Sequence, residues 1–147
     1  MSLKERIQQD VKDAMRAKDK PRLATIRLIT AAIKQREVDE RIDLDDTQVI
    51  AVLDKMVKQR RESISQFEKA SRDDLIAQEN SELEIIQSYL PEQLTEAEIT
   101  VLIDTAMAAT GAASIKDMGK VMGQLKPKLQ GRADMGAVSA MIKARLD

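Results

Sequence analysis

The 147-residue chain contains no cysteine, no histidine and no tryptophan. Without cysteine there is no disulfide, no thiolate nucleophile and no thiolate site for zinc or an iron–sulfur cluster. Without histidine there is no imidazole base for a Ser-His-Asp triad. Phe67 and Tyr89 are the only aromatic residues. A core must therefore be assembled from Leu, Ile, Val, Ala and eight Met. Strand signals are missing too: there is no period-two alternation and no Asn-Gly or Asp-Gly turn. The residues in abundance lead the helix scale, so the composition predicts an all-α protein.

The sequence also lacks a run of about 20 apolar residues that could span a bilayer, and its first residues, MSLKERIQQDVKD, are charged throughout. A soluble, cytoplasmic protein is the expectation, with no membrane and no metal among its partners. The formal charge of −1 hides an uneven distribution. Residues 12–36 carry a net +6, residues 37–46 a net −5 and residues 112–145 a net +5. Where the charges sit, rather than their sum, bears on partners.

All five glycines follow residue 110, and the first 90 residues contain a single proline. This shift of character predicts a boundary near Leu90-Pro91, with a long-helix domain over 1–91 and a small three-helix domain over 92–147. In the first, Ser2 with Glu5 opens a helix, Lys18-Asp19-Lys20-Pro21 breaks it, and Pro21 starts a second with Leu23, Ile26, Thr30 and Ile33 inward. An aspartate from the acidic segment 39–46 caps a third helix, with Val49, Leu53, Met56, Arg60, Ile64 and Phe67 on its stripe. Ser71 with Asp74 opens a fourth, which Pro91 ends. In the second domain, Thr95 with Glu98 is a capping box and Gly111 closes that helix. Ser114 with Asp117 starts the next, Pro127 stops it, and Asp134 caps the last.

The segment around Gly119-Lys120 does not complete a phosphate loop, because Ser114 stands where the first glycine belongs and Val121 where the hydroxyl belongs. Laid on a helix, Ile115, Met118, Val121, Met122 and Leu125 fall on one side and Lys116, Gly119, Lys120 and Gly123 on the other. An outward glycine costs about 0.8–1 kcal/mol against alanine and gains no core packing. It lets a partner backbone approach closely, and lysines beside it suit a phosphodiester chain. Downstream, Lys126, Lys128, Gly131 and Arg132 read as a cationic loop before a helix N-terminus, which favours phosphate. Arg27 and Lys34, seven residues apart, can rest their stems beside an apolar stripe and present their charges to a ligand. Glu79, Glu82 and Glu84 are expected on or near the exposed side of the fourth helix, with nothing in the sequence to place a second group beside them, so no catalytic residues and no cofactor emerge.

Four ordered segments carry a family resemblance: Arg22-Leu-Ala-Thr-Ile-Arg-Leu-Ile, Lys58-Gln-Arg-Arg-Glu-Ser-Ile-Ser-Gln-Phe67, Tyr89-Leu-Pro-Glu-Gln-Leu94, and Asp117-Met-Gly-Lys-Val-Met122 followed by Pro127 and Gly131-Arg-Ala-Asp134. Together they resemble the YqeY family of small bacterial proteins over essentially the whole chain. The resemblance implies an N-terminal bundle of long helices and a compact three-helix module. That module is similar to the tail of the GatB subunit of glutamine-dependent aminoacyl-tRNA amidotransferase, which helps hold tRNA. Family labels attach carbon–nitrogen ligase activity with glutamine as amido-N-donor on this basis, although the amidotransferase's reaction centres have no matching segment here.

The sequence-level expectation is a tRNA-binding accessory protein without chemistry of its own, with Lys116, Gly119, Lys120, Gly123, Lys126, Lys128, Gly131 and Arg132 at the RNA. With so few aromatics, it would hold phosphates and shape rather than stacked bases. An aminoacyl-tRNA synthetase or amidotransferase is the expected protein neighbour. The alternatives are a protein-interaction adaptor and, third, the ligase itself.

Overall fold

Local capping signals set the helix starts in the computed structural model, which describes residues 1–147. Seven α-helices and one short 3-10 turn account for the regular structure, and there are no strands. The chain divides into two compact units, Met1–Leu90 and Pro91–Asp147.

The first unit holds α1 (Leu3–Arg16), α2 (Lys20–Glu40), α3 (Asp46–Lys69) and α4 (Asp73–Gln87). Ser2 Oγ accepts the Glu5 amide at 3.1 Å and so caps α1. The second bond at this end comes not from Glu5 but from a distant residue: the Leu3 amide donates to Asp46 Oδ1 at 2.9 Å. Asp19 caps α2 through the Arg22 amide, with Pro21 in the first turn where no donor is missed. Asp45 and Gln48 form a reciprocal capping box on α3.

The core of this unit is aliphatic. Ile7, Ile26, Ile29, Val49, Leu53 and Ile86 are fully excluded from solvent, joined by Ile33, Met56, Val57 and Tyr89. The inner stripe of α2 departs from expectation at one position, because Ile29 is buried whereas Thr30 is half-buried and its hydroxyl donates to the Arg27 carbonyl. The start of α4 also differs: Ser71 adopts a left-handed φ of 54°, and Arg72 takes the cap position with no side-chain bond. A residue in that conformation serves the turn between α3 and α4 and cannot act as the cap.

The second unit holds α5 (Glu96–Thr110), α6 (Met118–Leu129) and α7 (Met135–Leu146), with the 3-10 turn Ile115–Asp117 leading into α6. Thr95 and Glu98 form a capping box on α5, and Gly111 closes it at φ 66°. Ile103, Val121, Leu125, Leu129, Val138 and Ile142 make its core. Pro127 does not stop the helix: α6 continues through it to Leu129. A proline forfeits the bond to the carbonyl four residues back and crowds that carbonyl with its ring, which is tolerated two residues from the helix end. Here that carbonyl belongs to Gly123, on the exposed side, where water can take it. Lys126 and Lys128 are consequently helical, and the expected cationic loop shrinks to residues 130–134. In neither unit is any single helix long and apolar enough to cross a membrane.

Candidate nucleic-acid interface

Alternation of large apolar and small or charged residues in α6 produces two faces. Val121 and Leu125 are buried and Met118 and Met122 half-buried, while Lys116, Gly119, Lys120, Gly123 and Lys126 are exposed. The outward orientation of both glycines follows from this pattern. A Cβ built on Gly119 or Gly123 meets nothing within 4 Å. Close packing inside this unit therefore does not require glycine at either position.

The electrostatics of this face are simple. Lys116, Lys126 and Lys128 are exposed and form no ion pair within the chain. Lys120 Nζ lies 3.9 Å from Asp117 Oδ1, with the lysine side chain 71% exposed. Asp117 is held by backbone, its carboxylate accepting the amides of Ala113 at 3.0 Å and Ser114 at 3.2 Å. Those two bonds, aided by Lys120, hold the carboxyl below the usual carboxylate range. Asp117 thus fixes the entry to α6 and leaves most of the lysine charge projecting outward. Lys126 and Lys128 stand in the last turn, where the helix dipole also favours cations.

The remaining two candidates are less open. Gly131 is buried, at φ 76°, and its carbonyl accepts Gln93 Nε2 at 2.7 Å. The left-handed φ accounts for glycine there. Arg132 is half-buried, donates from Nε to the Glu92 carbonyl at 3.2 Å, and accepts the Leu94 amide on its own carbonyl at 2.8 Å. Gly131 and Arg132 therefore tie segment 92–94 to the turn before α7. Asp134 caps α7 by accepting the Gly136 amide at 3.0 Å, which uses one of the donors a phosphate would need. Sequence reading had no signal for the roles of Glu92 and Gln93, since both act across about 40 residues.

Phe67 is half-buried and Tyr89 buried. No exposed ring is available to stack a base.

A family model described as Yqey-like protein matches residues 4–146. The chain belongs to the YqeY-like family. Among curated relatives, the protein "Altered inheritance of mitochondria protein 41, mitochondrial" of Pyrenophora tritici-repentis is 35% identical over 130 residues, covering 87% of this chain and 71% of that protein. The protein of the same name from Lachancea thermotolerans is 34% identical over 148 residues, covering 95% of this chain and 76% of the relative. Both names place those fungal proteins in mitochondria, and neither states a reaction or a ligand.

Proposed function

We propose that this YqeY-like protein is an accessory RNA-binding protein whose C-terminal unit grips folded RNA of the tRNA class by its phosphates, beside the aminoacylation or amidotransferase machinery. The observation that carries this reading is the open glycine face of α6. Gly119 and Gly123 leave a shallow, side-chain-free strip beside Lys116, Lys120 and Lys126, into which a polynucleotide backbone can settle. Lys128 stands in the same last turn as Lys126, on the far side of the helix from that strip, and Arg132 contributes what its bond to Glu92 leaves free. Gly131 acts by shaping the turn. The absence of exposed rings favours recognition of shape over base stacking. The sequence alone predicts a cytoplasmic location, whereas the names of the relatives give a mitochondrial one.

Titration of the purified full chain with a tRNA transcript at several salt concentrations tests the reading. Each phosphate neutralised contributes a log–log slope of about −0.7 to −0.9. Lys116→Glu with Lys120→Glu should weaken binding strongly and flatten that slope. Unchanged affinity in this variant would move any RNA contact elsewhere. Capture of a protein in a salt- and RNase-insensitive manner, lost in Gly119→Leu, would instead establish the adaptor.

A further inference from the structure

The long helix α2 carries apolar residues on two opposite sides. Ile26, Ile29 and Ile33 face the core of the N-terminal unit. On the other side, Ala24, Leu28, Ala31, Gln35 and Val38 are all exposed, Leu28 by 45% and Val38 by 60%. Their spacing is four, three, four, three, the repeat by which one helix presents a continuous seam to another. The seam runs 14 residues, about 21 Å at 1.5 Å per residue. Single exposed leucines are ordinary surface features; four apolar positions in heptad register, interrupted only at Gln35, are an organised stripe.

The borders of the seam are asymmetric. On one side stand Arg27 and Lys34, both exposed and neither in an ion pair. Beyond them lies a groove of 370 Å³ between α1 and α2, lined by Lys34 and by the paired Lys4 and Glu37. On the other side Ala32 is half-buried, and Asp39 already accepts Gln35 Nε2 at 2.9 Å. That side opens onto a larger groove of 660 Å³ between α2 and α3, floored by Ala32, Val52 and Met56.

These charges select the occupant. A second copy packed antiparallel would set Arg27 and Lys34 against their own counterparts. Packed parallel, it would place Lys34 near Asp39 and leave Arg27 opposite Ala32. RNA would satisfy the cations and leave Leu28 and Val38 without a partner. We propose that the outer face of α2 is a docking surface for an amphipathic helix of another protein, one whose apolar seam is bordered by carboxylates. The apolar stripe supplies the contact, and the cationic border sets orientation and partner choice. This surface lies in the N-terminal unit and is independent of the RNA reading of α6.

The test uses the full chain and two labelled synthetic helical peptides with identical leucine seams, one flanked by Glu and one by Lys, with binding followed by fluorescence anisotropy. The Glu peptide should bind at least about tenfold more tightly than its Lys twin. In Arg27→Glu with Lys34→Glu the preference should reverse. Leu28→Asp, an exposed change that leaves circular dichroism unaltered, should weaken binding about tenfold or more. Equal affinities, no reversal, or no binding of either peptide would overturn the proposal. So would sedimentation showing a dimer that Leu28→Asp dissociates, which gives the face to a second copy. Displacement of the peptide by tRNA would give it to nucleic acid.

Discussion

The Tyr89 hydroxyl donates to Asp10 Oδ2 at 2.6 Å, joining the end of the N-terminal unit to the middle of α1 across 79 positions. The Arg6 guanidinium sits 5.0 Å from the centre of the same ring. One side chain therefore fills the core, holds a carboxylate and receives a cation on its face. Tyr89→Phe keeps the packing and leaves Asp10 without its donor. A loss of about 1–2 kcal/mol is expected for a bond to a charged group, measured by urea unfolding.

Burial first, then the bond to Asp10, pushes the Tyr89 hydroxyl well above its ordinary value of 10.0. A pKa raised on folding contributes stability that is complete below the unfolded value and declines as pH rises above it. The wild type should therefore lose stability above about pH 10, and Tyr89→Phe should lose less. The chain has one tyrosine and no tryptophan, so tyrosinate absorbance reads this directly. The signal should appear together with unfolding, not ahead of it.

Arg60 Nε lies 2.9 Å from Glu82 Oε2 and 3.4 Å from Glu79 Oε2, pinning α4 to α3 with one guanidinium between two carboxylates. The three side chains are 17–20% exposed, and Glu79 Oε2 receives no hydrogen bond. Arg60→Leu strands both carboxylates and should cost about 2 kcal/mol. Glu79→Gln should have the opposite sign. Desolvation, with Glu82 nearby, raises the Glu79 carboxyl, so its charge opposes folding at neutral pH. Removing that charge should leave the unfolding free energy unchanged or raise it by a few tenths of a kcal/mol, about the scale of a solvated pair.

Glu37 serves two elements at once. Its Oε2 accepts Lys4 Nζ at 2.7 Å from α1 and the Leu44 amide at 3.0 Å from the connection to α3. The bond from Lys4, followed by that from Leu44, holds the carboxyl below its ordinary 4.5. For a lowered carboxyl the stabilisation is present above the unfolded value and disappears as pH falls through the folded one. Glu37→Gln should lower the thermal midpoint at pH 7. The gap from wild type should close in acid, below the folded pKa, because both side chains are then neutral.

Gly123→Ala separates stability from function. Nothing lies within 4 Å of the added Cβ, and the position is in the middle of α6. The C-terminal unit should gain about 0.5–1 kcal/mol of helix stability. If the glycine strip seats RNA, the same change should weaken tRNA binding, so the two measurements move in opposite directions.

The caps at Ser2, Thr95 and Asp134 were legible because each side chain bonds an amide two or three residues away, whereas for α3 the acidic segment was legible but not the choice of Asp45 within it. The outward glycines of α6 were legible because its apolar residues cluster on one side. The continuation through Pro127 was not, since it depends on the exposure of the freed Gly123 carbonyl. Nor was the uncapped start of α4, which follows from the left-handed turn at Ser71. The inner stripe of α2 was misassigned at Thr30 because apolar residues lie on both sides of that helix, and periodicity cannot choose between two stripes. Among the site residues, Gly131 and Arg132 looked like neighbours of the lysines. Their bonds to Gln93 and Glu92 exist only once the chain has folded back.

The bond from the Leu3 amide to Asp46 also has a meaning in time. Chains are synthesised from the N-terminus, at about 5–20 residues per second. The first turn of α1 is made ahead of the rest of this unit, yet the carboxylate that receives its amide arrives 43 residues later, and the hydroxyl that holds Asp10 later still. The first helix of this protein is thus among the last to be completed. During synthesis its first amide waits for Asp46, about halfway through the N-terminal unit, and its middle waits for Tyr89 at that unit's end.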